Sequence, residues 1–465
     1  MKNEISDNGT VYTPEQIRNM MYGLDALVEL DDKRMVPAIN LDNAATTPAF
    51  KEVVNDIQEK LLYYGSIGRG KGQKSEHSSR IYEDGRAIVK DFVGASSDEY
   101  TVFYTNCATD GMNKLASALI EDPEYMVLTT RMEHHANDLP WRERAKTIHA
   151  EVDELGRLLL SDLKRLLEEN SGRIKFVSVT AASNVTGYVN DVHAIARLAH
   201  QHGAQIIVDG AQIVAHRAFS MLGESPEENI DYFVFSAHKM YSPFGGGAVV
   251  GRADVLNRRI PQFYGGGMVK TVYDERVVYT GPPDLYEAGS PNYPGVVGML
   301  KAMEILKRIG FDYVVAHEQR LMNRALVELK KIEKVILYGD NAHIADRVGI
   351  LVFNLDGIEN GEVANRLAGH SAIAVRHAAF CAHTYVRRLT GEPEPKQTNN
   401  PSNACFPPGG MIRVSFGIYN SDEEVDAFLK TIRELLEEGH PMAFSTDRGD
   451  ASLAGTGLVL PNDRG

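Results

Sequence analysis

Lys239 stands at the end of the apolar run DYFVFS, in the stretch FSAHK, just before the glycine cluster SPFGGG. A lysine at that place is either the first solvated residue after a core strand or an amine held in a cleft. In a cleft it can condense with a carbonyl and do covalent chemistry. Thirty residues upstream, Asp209 ends a second apolar run, IIVDG. A carboxylate there either caps the following turn or sits beneath a pyridinium nitrogen. The two together are the minimal protein equipment for pyridoxal phosphate, whose ring is an electron sink. A phosphate would then need a cradle. TVFYTNCATDGMN offers one, a strand and tight turn leading into a helix start at Ala108 and Thr109, where free N–H groups and a positive dipole end meet an anion. Ordinary capping by Thr109 is compatible with that use. After the run YMVLTT comes RMEHHANDLPW, whose His134 or His135 can stack on a planar cofactor and serve as acid or base, or simply face solvent.

These residues must be positioned by a sheet. Residues 101–251 alternate short β-rich runs, TVFYT, YMVLTT, TIHAEV, IKFVSVT, AQIIVDG, DYFVFS and GGAVVG, with amphipathic helical patterns. Nearly continuous apolar strands between helices predict an α/β unit with a mainly parallel sheet covered on both faces. Ligands of such sheets gather outside the carboxyl ends of the strands, where Asp209 and Lys239 fall. From about residue 300 the texture shifts to long helices around a few strands, RVGILVFNLDG and MIRVSFGIYN, which predicts a smaller C-terminal α+β domain. Ser421 and Glu424 form a capping-box pattern for a helix running toward Glu438. The expected division is an N-terminal segment 1–40, partly helical and packing on the small domain, a large domain 41–300, a small domain 301–442 and a mobile tail 443–465.

With 465 residues the chain is long enough for two domains and a deep cleft between them. A net charge of −14 without a Lys/Arg block argues against nucleic-acid or anionic-membrane partners and for a small-molecule substrate. No apolar run approaches a membrane span, and the polar start MKNEISDNGTVYTPEQ lacks the features of a signal peptide. Cys107, Cys381 and Cys405 are too few and too scattered for a disulfide framework or a four-cysteine zinc site, so no metal is expected and a reducing cytoplasm fits.

The ordered set LDNAATTP, CATDGMN, EHHANDLPW, SNVTGYVND, VDGAQ, FSAHK, YGGG, YEAGSPN, AVRHAAFCA and IRVSFGIYN spans roughly residues 40–440. It resembles the class V aminotransferase family, of the pyridoxal-phosphate-dependent transferase fold type I, and within it the SufS-type cysteine desulfurases and selenocysteine lyases. The resemblance implies that Lys239 carries the cofactor as a Schiff base, Asp209 pairs with the pyridine nitrogen, Gln212 binds the phenolate oxygen and His134 stacks on the ring. Ala108, Thr109, Ser236 and His238 would hold the phosphate, with Ser290 of SPN reaching in from the second subunit of a homodimer with shared active sites, and Gly266 of YGGG would also bind the cofactor. Asn184 would lie beside an amino-acid substrate, Arg413 would clamp its carboxylate and Arg376 would be a second arginine nearby.

Cys381 decides the reaction. SufS-type enzymes place a sulfur-accepting cysteine in the pattern VRTGxHCA, and this chain reads VRHAAFCA, with the same step from Arg376 to Cys381 but with His377, Ala378 and Phe380 in place of Thr, Gly and His. The upstream pattern HRGxH is here Gly68-Arg69-Gly70-Lys71-Gly72, and an insertion rich in Pro, Asn and Gly occupies 391–410. The resemblance implies a cysteine desulfurase with Lys239, His134 and Cys381 as catalytic residues and a sulfur-acceptor protein as partner. The departures keep two alternatives open. One is another reaction of the same cofactor, a C–S or C–Se β-lyase, aminotransferase or epimerase with Cys381 as bystander. The other is a catalytically silent, partner-binding member.

Overall fold

The computed structural model describes residues 12–437 apart from 69, 96, 258–261 and 395–408. The tail 443–465, Cys405 and most of the 391–410 insertion therefore lie outside the described residues. The expected strands all form: β1 (Tyr100–Thr105), β2 (Met126–Thr130), β3 (Lys146–Ala150), β4 (Ile174–Thr180), β5 (Gln205–Asp209), β6 (Tyr232–Ser236) and β7 (Gly247–Arg252). They make one sheet in the order β1-β7-β6-β5-β4-β2-β3. β7 alone runs antiparallel to its neighbours β1 and β6, and the strands from β6 to β3 are parallel. The side chains of six of these strands are mostly buried on both faces, as the unbroken apolar runs require, while the edge strand β3 is only partly buried.

Helices cover the sheet. α1 (Gln73–Phe92), α2 (Ala108–Leu119) and α3 (Val192–Gln201) each follow the amphipathic patterns, and the Asp191 side chain caps α3 by accepting the Ala194 N–H at 3.0 Å. α3 ends before Gly203, whose φ of +73° is the left-handed turn that the glycine permits. α4 (Tyr293–Ile309) opens earlier than the apolar pattern VGMLKAMEILKRIG indicates, because Asn292 caps Gly295 and Pro294 fits the first turn. The division expected between 300 and 301 falls inside this helix, whose apolar residues belong to the core that the large sheet shares.

A second core lies under an antiparallel sheet of β8 (Val335–Tyr338), β9 (Ile350–Leu355), β10 (Arg376–Ala378) and β11 (Met411–Ser415), ordered β8-β9-β11-β10. Against it pack α5 (Phe311–Leu329) and α6 (Asp422–Glu437). The capping box of α6 is formed: Glu424 N–H donates to Ser421 Oγ at 3.3 Å, and Ser421 N–H donates to Glu424 Oε2 at 3.1 Å. The N-terminal segment touches both cores. A short helix, Pro14–Asn19, buries Ile17 in the large core, while Ile39 pairs with Ile373 of the small unit and Arg18 pairs with Glu424 at 2.7 Å. Among the described residues no helix is long and apolar enough to cross a membrane, and no cluster of His, Cys, Asp and Glu is arranged to hold a metal ion.

Candidate active site

Parallel pairing sets Asp209, the last residue of β5, beside Val234 of β6, two residues before the end of that strand. One 3₁₀ turn further, Ala237–Lys239, brings the lysine back over the same strand ends. The Asp209 carboxyl is 3 % exposed and accepts the Ala211 N–H at 2.9 Å. Burial raises its pKa, while that hydrogen bond and the Lys239 charge pull the other way. Burial lowers the Lys239 amine to about 8, against the pull of Asp209. Near neutral pH a larger share of this lysine is therefore unprotonated than of a solvated one, which favours a nucleophilic amine.

The walls follow from the neighbouring strand ends. Ser236 Oγ accepts the Ala108 N–H at 2.7 Å, which ties the end of β6 to the first residue of α2. Thr109, the next helical residue, makes no cap: Cys107 occupies the N-cap position without a side-chain bond. His134 Nδ1 accepts the Ala136 N–H at 3.0 Å, so the neutral ring carries its proton on Nε2. Burial and the Lys239 charge hold that ring neutral, its pKa lowered to about 3, and the same causes lower His238 to about 4. Gln212 donates through Nε2 to the Ala44 carbonyl at 2.8 Å, and its buried Oε1 has no partner. Behind His134, Glu133 accepts from Thr130 Oγ1 (2.6 Å), Asn137 Nδ2 (2.7 Å) and the Thr180 N–H (3.1 Å). That carboxyl, pushed up to about 8 by burial, bolts the histidine loop to the end of β4.

The small unit closes the other side. Arg413 of β11 is 3 % exposed, donating from Nη1 to the Asn184 carbonyl at 2.8 Å and from Nη2 to Asp42 Oδ1 at 2.9 Å. Its guanidinium carbon lies 5.0 Å from the centroid of the Phe380 ring. The half-exposed Arg376 pairs with the other oxygen of Asp42 at 3.1 Å. The Asn184 amide donates to the Phe380 carbonyl at 2.8 Å, and the His135 N–H donates to the Cys381 carbonyl at 2.7 Å. These bonds hold a loop in which Ala378, Phe380 and Cys381 all have positive φ, +77°, +52° and +55°. The glycine of the VRTGxHCA pattern is Ala378 here, and the chain keeps the left-handed turn with a Cβ in place, at about 1 kcal/mol.

Lys239, Asp209, Gln212, His134, Ala108, Thr109, Ser236, His238, Asn184, Arg413, Arg376 and Cys381 thus line one cavity of about 520 Å³. Cys381 is exposed at its mouth. Gly266 and Ser290 lie apart from it, on exposed loops joined by the Gly289 N–H donating to the Gly266 carbonyl at 2.9 Å. Sequence reasoning missed Asp42, Phe380 and Glu133. All three sat inside motifs already singled out, LDNAATTP, AVRHAAFCA and EHHANDLPW, yet the arginines that Asp42 pairs with lie hundreds of positions away, and Asn184 reaches Phe380 through its backbone carbonyl.

The chain as a whole is similar to known proteins. Residues 39–428 match the model of the family described as aminotransferase class-V. A cysteine desulfurase of Haloferax volcanii is 34% identical over 410 residues, covering 86% of this chain and 90% of the relative. A probable cysteine desulfurase 1 of Mycobacterium leprae is 33% identical over 412 residues and 87% of this chain, but the match spans only 63% of that relative's length. The apo structure of a cysteine desulfurase from Thermococcus onnurineus NA1 superposes with a TM-score of 0.76 at 30% identity, covering 86% of this chain and 95% of that one.

Proposed function

The chain belongs to the class V aminotransferase family, and on that premise we propose that it is a pyridoxal-phosphate-dependent cysteine desulfurase, converting L-cysteine to L-alanine with the sulfur passed to Cys381 as a persulfide. The observation that carries this reading is that Cys381 lines the same cavity as the Lys239–Asp209 pair and Arg413. The residues fit the cofactor. A partly deprotonated lysine, a buried carboxyl, a neutral imidazole, an amide nitrogen whose second N–H can be donated and a helix start beside Ser236 and His238 supply the groups that its aldehyde, pyridine nitrogen, ring, phenolate and phosphate require.

Bound there, the cofactor supplies an electron sink for the bond broken at the substrate's Cα. The chain does the rest. Arg413 holds the substrate carboxylate through its remaining guanidinium donors, and Lys239 Nζ receives the Cα proton. The His134 Nε2–H closes the cavity over the reacting face. The Cys381 thiolate attacks the substrate sulfur, so that one S–S bond forms as the C–S bond breaks. The released electron pair goes to Cβ, which takes up the proton that Cys381 gave up, Lys239 Nζ returns a proton to Cα, and alanine leaves. No external oxidant or reductant enters the balance. Gly266 and Ser290 we assign to the cavity of a second copy, and the exposed persulfide to a sulfur-acceptor protein or thiol.

The test is product analysis with L-cysteine on the cofactor-loaded protein. Alanine as the sole carbon product, with sulfide released on added reductant, is expected. Cys381→Ala should abolish both. Pyruvate with ammonia would mark a β-lyase, glutamate-to-oxoglutarate exchange an aminotransferase, and full turnover by Cys381→Ala would overturn the persulfide step.

A further inference from the structure

Arg376 and Arg413 are directly opposite residues of the antiparallel strands β10 and β11. Two like charges so placed repel one another. Asp42, from the other end of the chain, answers both. Its Oδ1 takes Arg413 Nη2 at 2.9 Å, and its Oδ2 takes Arg376 Nε at 3.1 Å. The residue is itself fixed. Its N–H donates to Asn40 Oδ1 at 3.0 Å, its carbonyl accepts the Ala45 N–H at 3.1 Å, and it bridges Ser415 at the end of β11.

Arg413 is consequently held from three directions, by Asp42, by the Asn184 carbonyl and by the Phe380 ring. Its buried Nε has no partner. A guanidinium with its outer nitrogens tethered and an inner donor unsatisfied is prepared for one more planar anion. Burial alone would lower the affinity of this arginine for its proton, and Asp42 opposes that. One carboxylate shared by two cations also leaves a single positive charge in the cluster, which one α-carboxylate neutralises.

We infer that Asp42 is a positioning residue: it fixes the Arg413 guanidinium at the depth and tilt at which it receives the α-carboxylate of a monoanionic amino-acid substrate. The inference rests on the reading of Arg413 as the carboxylate clamp. A carboxylate that served only to quiet two neighbouring arginines would stabilise the fold without distinguishing one ligand from another. A positioning carboxylate must act on ligands that carry a carboxylate and leave their uncharged analogues alone.

The experiment is calorimetric titration of the cofactor-loaded protein with L-alanine and, separately, with L-alaninamide, which lacks the carboxylate. Asp42→Asn should weaken L-alanine at least about tenfold, the scale of one charge-assisted hydrogen bond, and L-alaninamide less than about twofold. Asp42→Glu keeps the charge one methylene further out, and should restore L-alanine to within about threefold of the parent while L-alaninamide stays unchanged. If Asp42→Asn does not accumulate folded, that Glu variant decides the matter: L-alanine weakened by up to about threefold with L-alaninamide unchanged sustains the inference, and L-alanine unchanged overturns it. Equal weakening of both ligands in either variant, or unchanged L-alanine binding in Asp42→Asn, overturns it. Arg413→Lys separates the two levels. If it leaves L-alanine binding intact the clamp itself is misassigned, whereas weakening by Arg413→Lys but not by Asp42→Asn removes the Asp42 inference alone.

Discussion

Replacing Arg413 by lysine keeps the charge and removes the fork, and the structure says how much that should matter. The guanidinium spends Nη1 on the Asn184 carbonyl and Nη2 on Asp42, at 2.8 and 2.9 Å, and keeps Nε unpaired. A single ammonium nitrogen on a shorter reach cannot meet Asn184, Asp42 and a ligand together in that geometry. It also lacks the flat face that lies over Phe380. One charge-assisted hydrogen bond to the substrate is lost, about 1.5–3 kcal/mol, which is about 10- to 150-fold in binding. Because Lys239 and Asp209, the residues proposed to hold the cofactor, lie at the ends of β6 and β5 rather than on β11, the cofactor's visible absorption should persist. Steady-state kinetics with L-cysteine should therefore show KM raised by that factor with the absorption band in place. A KM within about twofold of the parent would mean that the carboxylate is held elsewhere, and the account of the β11 side of the cavity would fall with it.

Two more outcomes can be checked. In cofactor-free protein, condensation of Lys239 with added pyridoxal phosphate requires the unprotonated amine, so its rate should be low in acid and climb through about pH 8 rather than near 10.5, a midpoint read by stopped-flow absorbance. A profile still rising past pH 10 would show that burial does not depress this amine. Ala378→Gly should raise stability by about 0.5–1 kcal/mol, read as a shift in the denaturation midpoint, because glycine occupies the φ of +77° without a Cβ penalty. A loss of stability would mean that the turn is not left-handed at that residue.

Much of the frame was legible because it rests on local or strictly periodic signals. Apolar runs bounded by polar turns marked all seven strands of the large sheet, and the rule that ligands sit at carboxyl strand ends brought Asp209 and Lys239 together before any coordinates. Ser421 and Glu424 announced the start of α6 from three positions apart. The helix that spans residue 300 was misjudged at its beginning. Its apolar stripe becomes evident only after the cap signal of Asn292 and Pro294 has passed, and a change of texture in the sequence follows the stripe rather than the cap.

What escaped is of another kind. Asp42 lies 371 positions from Arg413 along the chain, and only the register of β10 against β11 puts the two arginines opposite each other so that one carboxylate can serve both. No spacing rule reaches that far. The cysteine loop escaped because its shape is imposed from outside: Ala378, Phe380 and Cys381 are not residues that choose positive φ, and the hydrogen bonds from Asn184 and His135 to the Phe380 and Cys381 carbonyls keep them there. Asn184 has a second duty, since its backbone carbonyl receives Arg413. The residue that steadies Arg413, the proposed carboxylate clamp, thus also anchors the loop of Cys381, the proposed nucleophile. One asparagine joins the guanidinium to the backbone one residue before the thiol, and because Arg413, Asn184 and Phe380 come from distant parts of the chain, no local pattern in the sequence could announce that junction.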